Sequence, residues 1–343
     1  ESYLSKKHMK SKNISVLGGG SWGTVLANLA SSNQHNVTLW MRDTELVKEV
    51  NKSRRNSKYL PELKLEGNLK ATEDISLINS SEMVIFCIPS DSFREVSKKA
   101  SEYIDKSVQL VTATKGVEKD KFNLMSQVLN EHMANNSVGI LSGPNLAQEI
   151  ATKQLSGTVI ASKDKVLQKN VIDILGSDSF RVYENDDPYG VEMGGAIKNI
   201  YAIACGVADG LNSGENTVGM IMTRGLGEMS RLAVELGANP QTFLGLSGVG
   251  DLITTCASPL SRNHKFGKYI GEGLSVESAT DEIGQTVEGL KTLKVVKVLS
   301  DERNINMPIV DSLYKIIYKG ENLNGSIQNI LGEDLIKDVE FSK

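Results

Sequence analysis

Cysteine is scarce in this chain: Cys87, Cys205 and Cys256 are the only three in 343 residues, odd in number and widely spaced. With no Cys-x-x-Cys pair, they suggest reduced thiols in a cytoplasmic compartment and no zinc site. Histidine is equally thin. His8, His35, His132 and His264 cluster nowhere, which disfavours a metal centre and a Ser-His-Asp triad alike. No apolar run approaches the roughly 20 residues of a membrane span. Residues 1–13 are polar and Lys-rich, without the apolar centre of a secretory signal, and residues 1–12 read as a disordered leader. A single-sign charge bias is missing too: 38 Lys and Arg stand against 42 Asp and Glu, net −4, with both signs interspersed. That leaves no basic face for nucleic acid and no acidic tail. There is no internal repeat and no low-complexity segment.

What is present is length for about two domains and, at 40% hydrophobic residues, ample material for real cores. Asn13–Leu17 is a short β-rich run, followed by Gly18-Gly-Gly-Ser-Trp-Gly23 and a helical stretch from Thr24 to Ser31. This strand, G-x-G-x-x-G, helix order predicts dinucleotide binding. Gly18 permits the tight turn, Gly20 lets backbone approach a pyrophosphate, and Gly23 lets helix and strand pack closely. The helix N-terminus then offers free N–H groups to phosphate. The second strand, Asn36–Trp40, ends in Met41-Arg42-Asp43. An acid there would hold the ribose 2′-OH, and an arginine would pair with a 2′-phosphate. Arg54-Arg55 would reach the same place or form solvated helix surface. The balance leans to NADP, with NAD use allowed.

Strands are also predicted at Met83–Ile88, ending in Pro89-Ser90, and at Val108–Thr112, ending in Ala113-Thr-Lys-Gly116. Ligands bind beyond the carboxyl ends of such strands, so Lys115 has an argued place beside a ligand, against the alternative of a surface loop lysine. Ser137–Leu141 runs into Ser142-Gly-Pro-Asn-Leu-Ala147 in the same way. Ser156–Ala161 and Phe180–Tyr183 read as the last strands, and the acidic Glu184–Tyr189 as a boundary. The fold class is therefore α/β. A Rossmann-type dinucleotide-binding domain occupies 13–189, and a mostly α-helical C-terminal domain, 190–343, binds substrate and carries catalysis.

The second half is organised around Val191–Leu211, a helix of almost wholly small or apolar residues that should be buried. Its one cation is Lys198. Burial lowers an amine's pKa, so a lysine held there exchanges protons near neutral pH; the bland alternative is a lysine snorkelling from a core helix. Thr217–Leu236 reads as a helix with core methionines. Gly245-Leu-Ser-Gly-Val-Gly-Asp-Leu252 places Asp251 at a helix start. Ser261-Arg-Asn263 opens another helix with an N-cap serine, an arginine and an asparagine, which suits a phosphate. The later helices read as scaffold.

Together these stretches resemble the NAD(P)-dependent glycerol-3-phosphate dehydrogenases of bacterial type. The match runs from about Asn13 to Gly320. It rests on Gly18-Gly-Gly-Ser-Trp-Gly-Thr24, Thr114-Lys-Gly116, Ser142-Gly-Pro-Asn-Leu-Ala147, Gly195-Ala-Ile-Lys-Asn199 and Thr223-Arg-Gly-Leu226. Leu246-Ser-Gly-Val-Gly-Asp-Leu252, Ser261-Arg-Asn263 and Val287-Glu-Gly289 complete the series. The resemblance implies that Ser21, Trp22, Arg42, Ala147, Arg262 and Glu288 contact the dinucleotide, with Lys115 and Thr286 at its edge. It implies that Lys115, Gly143, Asn145, Asp251, Ser261, Arg262 and Asn263 line the substrate, and that Lys198 is the proton acceptor. Asn145 stands where this family usually has a small hydroxyl residue, and Thr286 where it often has valine. Retuned contacts are expected from the first and a mild change from the second.

The implied reaction is hydride transfer between NAD(P)H and dihydroxyacetone phosphate, giving sn-glycerol 3-phosphate for phospholipid synthesis. Lys198 exchanges the proton, Lys115 polarises the carbonyl, and Asp251 orients the lysines. A cytoplasmic homodimer with no membrane span, metal or nucleic-acid partner is the accompanying expectation. Two rivals remain at this stage. A 3-hydroxyacid dehydrogenase of the β-hydroxyacid type would need a carboxylate clamp in place of Ser-Arg-Asn. A redox sensor that binds NAD(P) without chemistry would have no use for the lysines.

Overall fold

A computed structural model describes residues 10–118 and 120–323. Residues 1–9 of the expected leader, and 324–343 of the second half, lie outside the described residues. The first part of the chain alternates β1 (Asn13–Leu17), α1 (Ser21–Ser32), β2 (Asn36–Trp40), α2 (Thr44–Ser53), β3 (Leu69–Thr72), β4 (Met83–Phe86), α3 (Ser90–Ala100) and β5 (Gln109–Thr112). It continues through α4 (Met125–His132), β6 (Val138–Ser142), α5 (Ala147–Ala151), β7 (Ser156–Ala161), α6 (Lys165–Leu175) and β8 (Phe180–Asn185). The remainder is helical: α7 (Pro188–Gly210), α8 (Glu215–Glu235), α9 (Asp251–Ala257), α10 (Arg262–Gly271), α11 (Val276–Ile283), α12 (Glu288–Arg303) and α13 (Pro308–Lys319).

The chain divides into two compact units. Among the described residues, one holds the sequence up to Thr114 and Met125–Pro188; the other holds those of Lys115–Leu124 and those from Tyr189 on. In the first, eight strands form one sheet in the order β3-β2-β1-β4-β5-β6-β7-β8. Every pair is parallel except β6 with β7. The strand order reverses between β1 and β4, the switch point where open α/β sheets bind ligands. Alternate strand residues feed two cores, which is why the strands read as near-continuous apolar runs. Ile14, Val16, Met83 and Ile85 pack with α1 and α6, whereas Leu17, Val84 and Phe86 pack with α3 and α4.

The second unit is built around α7, which is buried from Gly190 to Ala208. Helix α10 crosses it backbone to backbone. A Cβ on Gly206 would stand 2.0 Å from the carbonyl oxygen of His264, and one on Gly267 2.0 Å from that of Ile203. The short excursion Lys115–Leu124 belongs to this unit. Val117 and Leu124 form an antiparallel bridge and are buried with Ala196 of α7 and Val295 of α12, flanked by half-buried Phe122 and Tyr189. Burial of each such aliphatic side chain is worth about 1.5–3 kcal/mol.

A buried carboxyl fastens the far side of this unit. Glu228 on α8 accepts from the N–H groups of Ile309 (2.6 Å) and Val310 (3.4 Å) and from the Tyr201 hydroxyl (3.2 Å). It caps the start of α13, whose own N-cap residue, Met307, supplies no side-chain acceptor. Burial pushes Glu228 up from 4.5 to about 8, against the pull of its donors. Because the folded value lies above the unfolded one, this group's stabilisation is full below about pH 4.5 and is lost as pH rises to about 8. Thermal melts across pH 5–8 should therefore show a decline in the parent protein that is flattened in Glu228→Gln.

Candidate active site

The cluster that the sequence places at three distant points meets within the second unit. A wide helical turn over Leu246–Gly250 leads into α9, so that Asp251 is its first residue. Thr255 lies one turn further on and therefore on the same helix face. Lys198, from the middle of α7, donates to Asp251 Oδ1 and to Thr255 Oγ1. Lys115 donates to the other carboxylate oxygen, Oδ2, at 2.7 Å. Asp251 is 1% exposed, Lys198 4% and Lys115 20%.

This arrangement sets the charge. With both lysines protonated the trio carries +1; with Lys198 neutral it carries none, and a low-dielectric site favours the second state. Burial draws Lys198 down from 10.5 to about 7; Asp251 opposes that shift and the Lys115 ammonium reinforces it. An ammonium has three N–H bonds. Two are directed at Asp251 and Thr255, which leaves one for a further acceptor.

A second network joins α7 to the helices that follow. Asn263 Nδ2 donates to Asn199 Oδ1 at 3.0 Å, and its Oδ1 accepts the Gly289 N–H at 2.9 Å. Gly289 is required there, since a Cβ would stand 2.7 Å from the Asn199 carbonyl oxygen. Ser261 caps α10 by accepting the His264 N–H at 3.3 Å. Arg262 is exposed and reaches Gln285 at 3.4 Å. Thr286 is half-buried before α12, and Glu288 pairs with Lys291 at 3.2 Å.

The remaining site residues lie in the first unit. A Cβ on Gly18 would meet the Cys87 carbonyl oxygen at 2.1 Å, and one on Gly23 the Gly18 carbonyl oxygen at 1.9 Å. Gly20 is different: a Cβ there would meet no atom within 4 Å. Helix α1 has no side-chain cap and no acid in its first turn, so its positive end is not neutralised locally. Beside it the indole N–H of Trp22 is buried without a hydrogen-bond partner. Ser21 donates to the Tyr59 carbonyl at 3.3 Å. Arg42 lines a cavity of 230 Å³ with Trp40, Glu73, Ile75, Glu95, Val96 and Lys99. Its neighbour Asp43 is committed elsewhere, capping α2 through the Leu46 N–H (3.1 Å) and facing Lys58 at 3.5 Å. Arg54 and Arg55 donate to the carbonyls of Leu69 and Pro61. Gly143 packs against Thr158, and Asn145 holds the Thr158 hydroxyl (2.9 Å) and the Gly157 carbonyl (3.2 Å). Ala147 opens α5 and is half-buried.

Three residues of these networks have no assigned role in the sequence-based expectations. Thr255 stands four residues after Asp251, a spacing that would have flagged it. Asn199 adjoins Lys198. Asn56, which ties the glycine turn by donating to the Gly19 carbonyl (2.9 Å) and to Thr24 (2.8 Å), is 37 and 32 residues from its partners.

Two family models match the chain. Residues 13–168 match the NAD-dependent glycerol-3-phosphate dehydrogenase N-terminus, and residues 187–328 the corresponding C-terminus. The chain is 46% identical to a glycerol-3-phosphate dehydrogenase [NAD(P)+] of Alcanivorax borkumensis, over 96% of each chain. It is 49% identical to that of Acinetobacter baylyi, over 96% of this chain and 92% of the relative. Among solved structures, glycerol-3-phosphate dehydrogenase from Coxiella burnetii superposes with a TM-score of 0.90 at 35% identity, covering 94% of this chain and 99% of that one. The chain therefore belongs to the NAD-dependent glycerol-3-phosphate dehydrogenase family and is an NAD(P)-dependent oxidoreductase.

Proposed function

We propose that Lys198 is the general acid and base in the interconversion of dihydroxyacetone phosphate and sn-glycerol 3-phosphate. The observation that carries this reading is the buried amine with two directions fixed and its pKa near neutrality. When bound, the nicotinamide supplies or accepts the hydride. On ketone reduction Lys198 gives its third proton to the nascent alkoxide at C2, and in oxidation it removes the hydroxyl proton. Lys115 polarises the carbonyl oxygen, and Asp251 orients both amines. Arg262, Asn263 and the start of α10 at Ser261 hold the phosphate.

For the dinucleotide, the open space at Gly20, the uncapped start of α1 and the orphan Trp22 N–H all suit a pyrophosphate and its ribose. Gly18, Ser21, Gly23 and Ala147 shape that site. Arg42 beside an already committed Asp43 favours NADPH. We extend the reading to a cytoplasmic homodimer that supplies glycerol 3-phosphate to phospholipid synthesis. Light scattering tests the dimer. Among the described residues, no helix is long and apolar enough to cross a membrane.

Steady-state kinetics check the acid-base assignment. The kcat/KM for glycerol 3-phosphate oxidation should rise with pH through about 7, as Lys198 loses its proton, and that for ketone reduction should fall through the same range. Lys198→Ala should lose about 10²–10⁴-fold in kcat, and unphosphorylated dihydroxyacetone should be a poor substrate; indifference to both changes would overturn the reading.

Two variants test the dinucleotide site by fluorescence titration. Gly20→Ala should melt as the parent does yet bind NADPH about tenfold or more weakly, because the methyl group takes ligand space. Arg42→Ala should lower the NADPH-to-NADH preference by about tenfold, the loss of one charge-assisted contact.

A further inference from the structure

The excursion Lys115–Leu124 is unexplained by the chemistry assigned so far. It leaves the sheet unit after Thr114, whose hydroxyl is fixed to the Ile88 carbonyl at 2.8 Å, and re-enters at Met125. Its tip is closed by polar bonds: the Glu118 N–H to the Asn123 carbonyl (3.0 Å), and Asn123 Nδ2 to Glu118 (2.8 Å). Its base is apolar. Val117, 1% exposed, and Leu124, 0%, face each other across the bridge and sit on Ala196 and Val295. Ala196 lies two residues before Lys198 on α7, and Val117 two residues after Lys115.

We infer that Val117 and Leu124 are positioning residues for the reaction: as an apolar plug seated on α7 and α12, they hold the Lys115 ammonium on Asp251. A lysine has four flexible methylenes and gains nothing from reaching a buried carboxylate unless its backbone is brought there. The plug supplies that constraint and refers it to the helix that carries Lys198. Both cations are thereby registered on one element.

The groups facing Lys198 are Asp251 and Cys256 from α9 and Lys115 from the excursion. Burial pushes the Cys256 thiol up, so it stays neutral. Loosening the plug removes the like charge alone, and Lys198 should then hold its proton to higher pH. The inference rests on the lysine roles proposed above.

The test is the pH profile of glycerol 3-phosphate oxidation in the full chain, for the parent protein, Lys115→Met, Leu124→Ala, Val117→Thr and Leu124→Met, each with a thermal melt. Leu124→Ala and Val117→Thr should move the rising limb upward, toward its position in Lys115→Met, by about half a pH unit or more. Leu124→Met should leave it in place, and adding Leu124→Ala to Lys115→Met should shift it no further. Val117→Thr is nearly isosteric and decides the matter should Leu124→Ala not fold. Plug variants that lose activity with the limb at its parental position would show a merely structural role and overturn the inference. A parent protein with no limb near 7 would instead overturn the assignment of Lys198.

Discussion

The buried Asp251 carboxylate is the constraint on which the helical unit depends. One oxygen receives Lys198 and the other Lys115, so a single 1%-exposed anion fixes two cations that come from α7 and from a loop far earlier in the chain. Buried ion pairs rarely add net stability, because desolvation offsets their attraction. With one carboxylate between two amines, the trio is neutral only when one lysine gives up its proton, as the proposed acid-base role of Lys198 requires. Lys198 is the more deeply buried of the two and is the one drawn to about 7.

Everything around that carboxylate serves to hold it still. Helix α7 is buried over most of its length and lies against the α10 backbone at its glycines. Backbone contact of this kind leaves little room for sliding. The same crossing brings Asn263 to Asn199, one residue from Lys198, and Gly289 closes that network from α12. Asp251, Lys198 and the start of α10 are thus tied by short bonds to three helices. In the sheet unit the glycine turn is treated likewise, with Asn56 bound to Gly19 and Thr24. In both units the groups assigned to ligands are supported by a layer of asparagines.

Local patterns made much of this legible in the sequence. The strand, glycine turn and helix at Asn13–Ser32 follow from β-rich residues and three glycines, two of which stand within 2.1 Å of a carbonyl oxygen once a Cβ is added. The buried helix around Lys198 follows from its lack of any polar face, and the Ser261 cap from residue type. What pattern does not carry is pairing over distance. That Lys115 and Lys198 share Asp251 depends on partners 136 and 53 residues away. The committed state of Asp43, Arg54 and Arg55 is likewise tertiary: Asp43 reads as an acid for the ribose 2′-OH, and Arg54-Arg55 as a pair near the same place or solvated helix surface, yet one caps a helix and two hold backbone carbonyls. Asn145 reads as a ligand contact, and its amide is already half engaged by Thr158 and Gly157.

One buried carboxylate serving two amines should hold Lys198 poised between its two protonation states. The most direct measurement is the NMR titration of the lysine side chains in the full chain, with the Lys198 signal assigned by its loss in Lys198→Ala. The account predicts one lysine titrating near pH 7, moving upward in Lys115→Met. A Lys198 that stays protonated beyond about pH 9, near the usual lysine range, would contradict it.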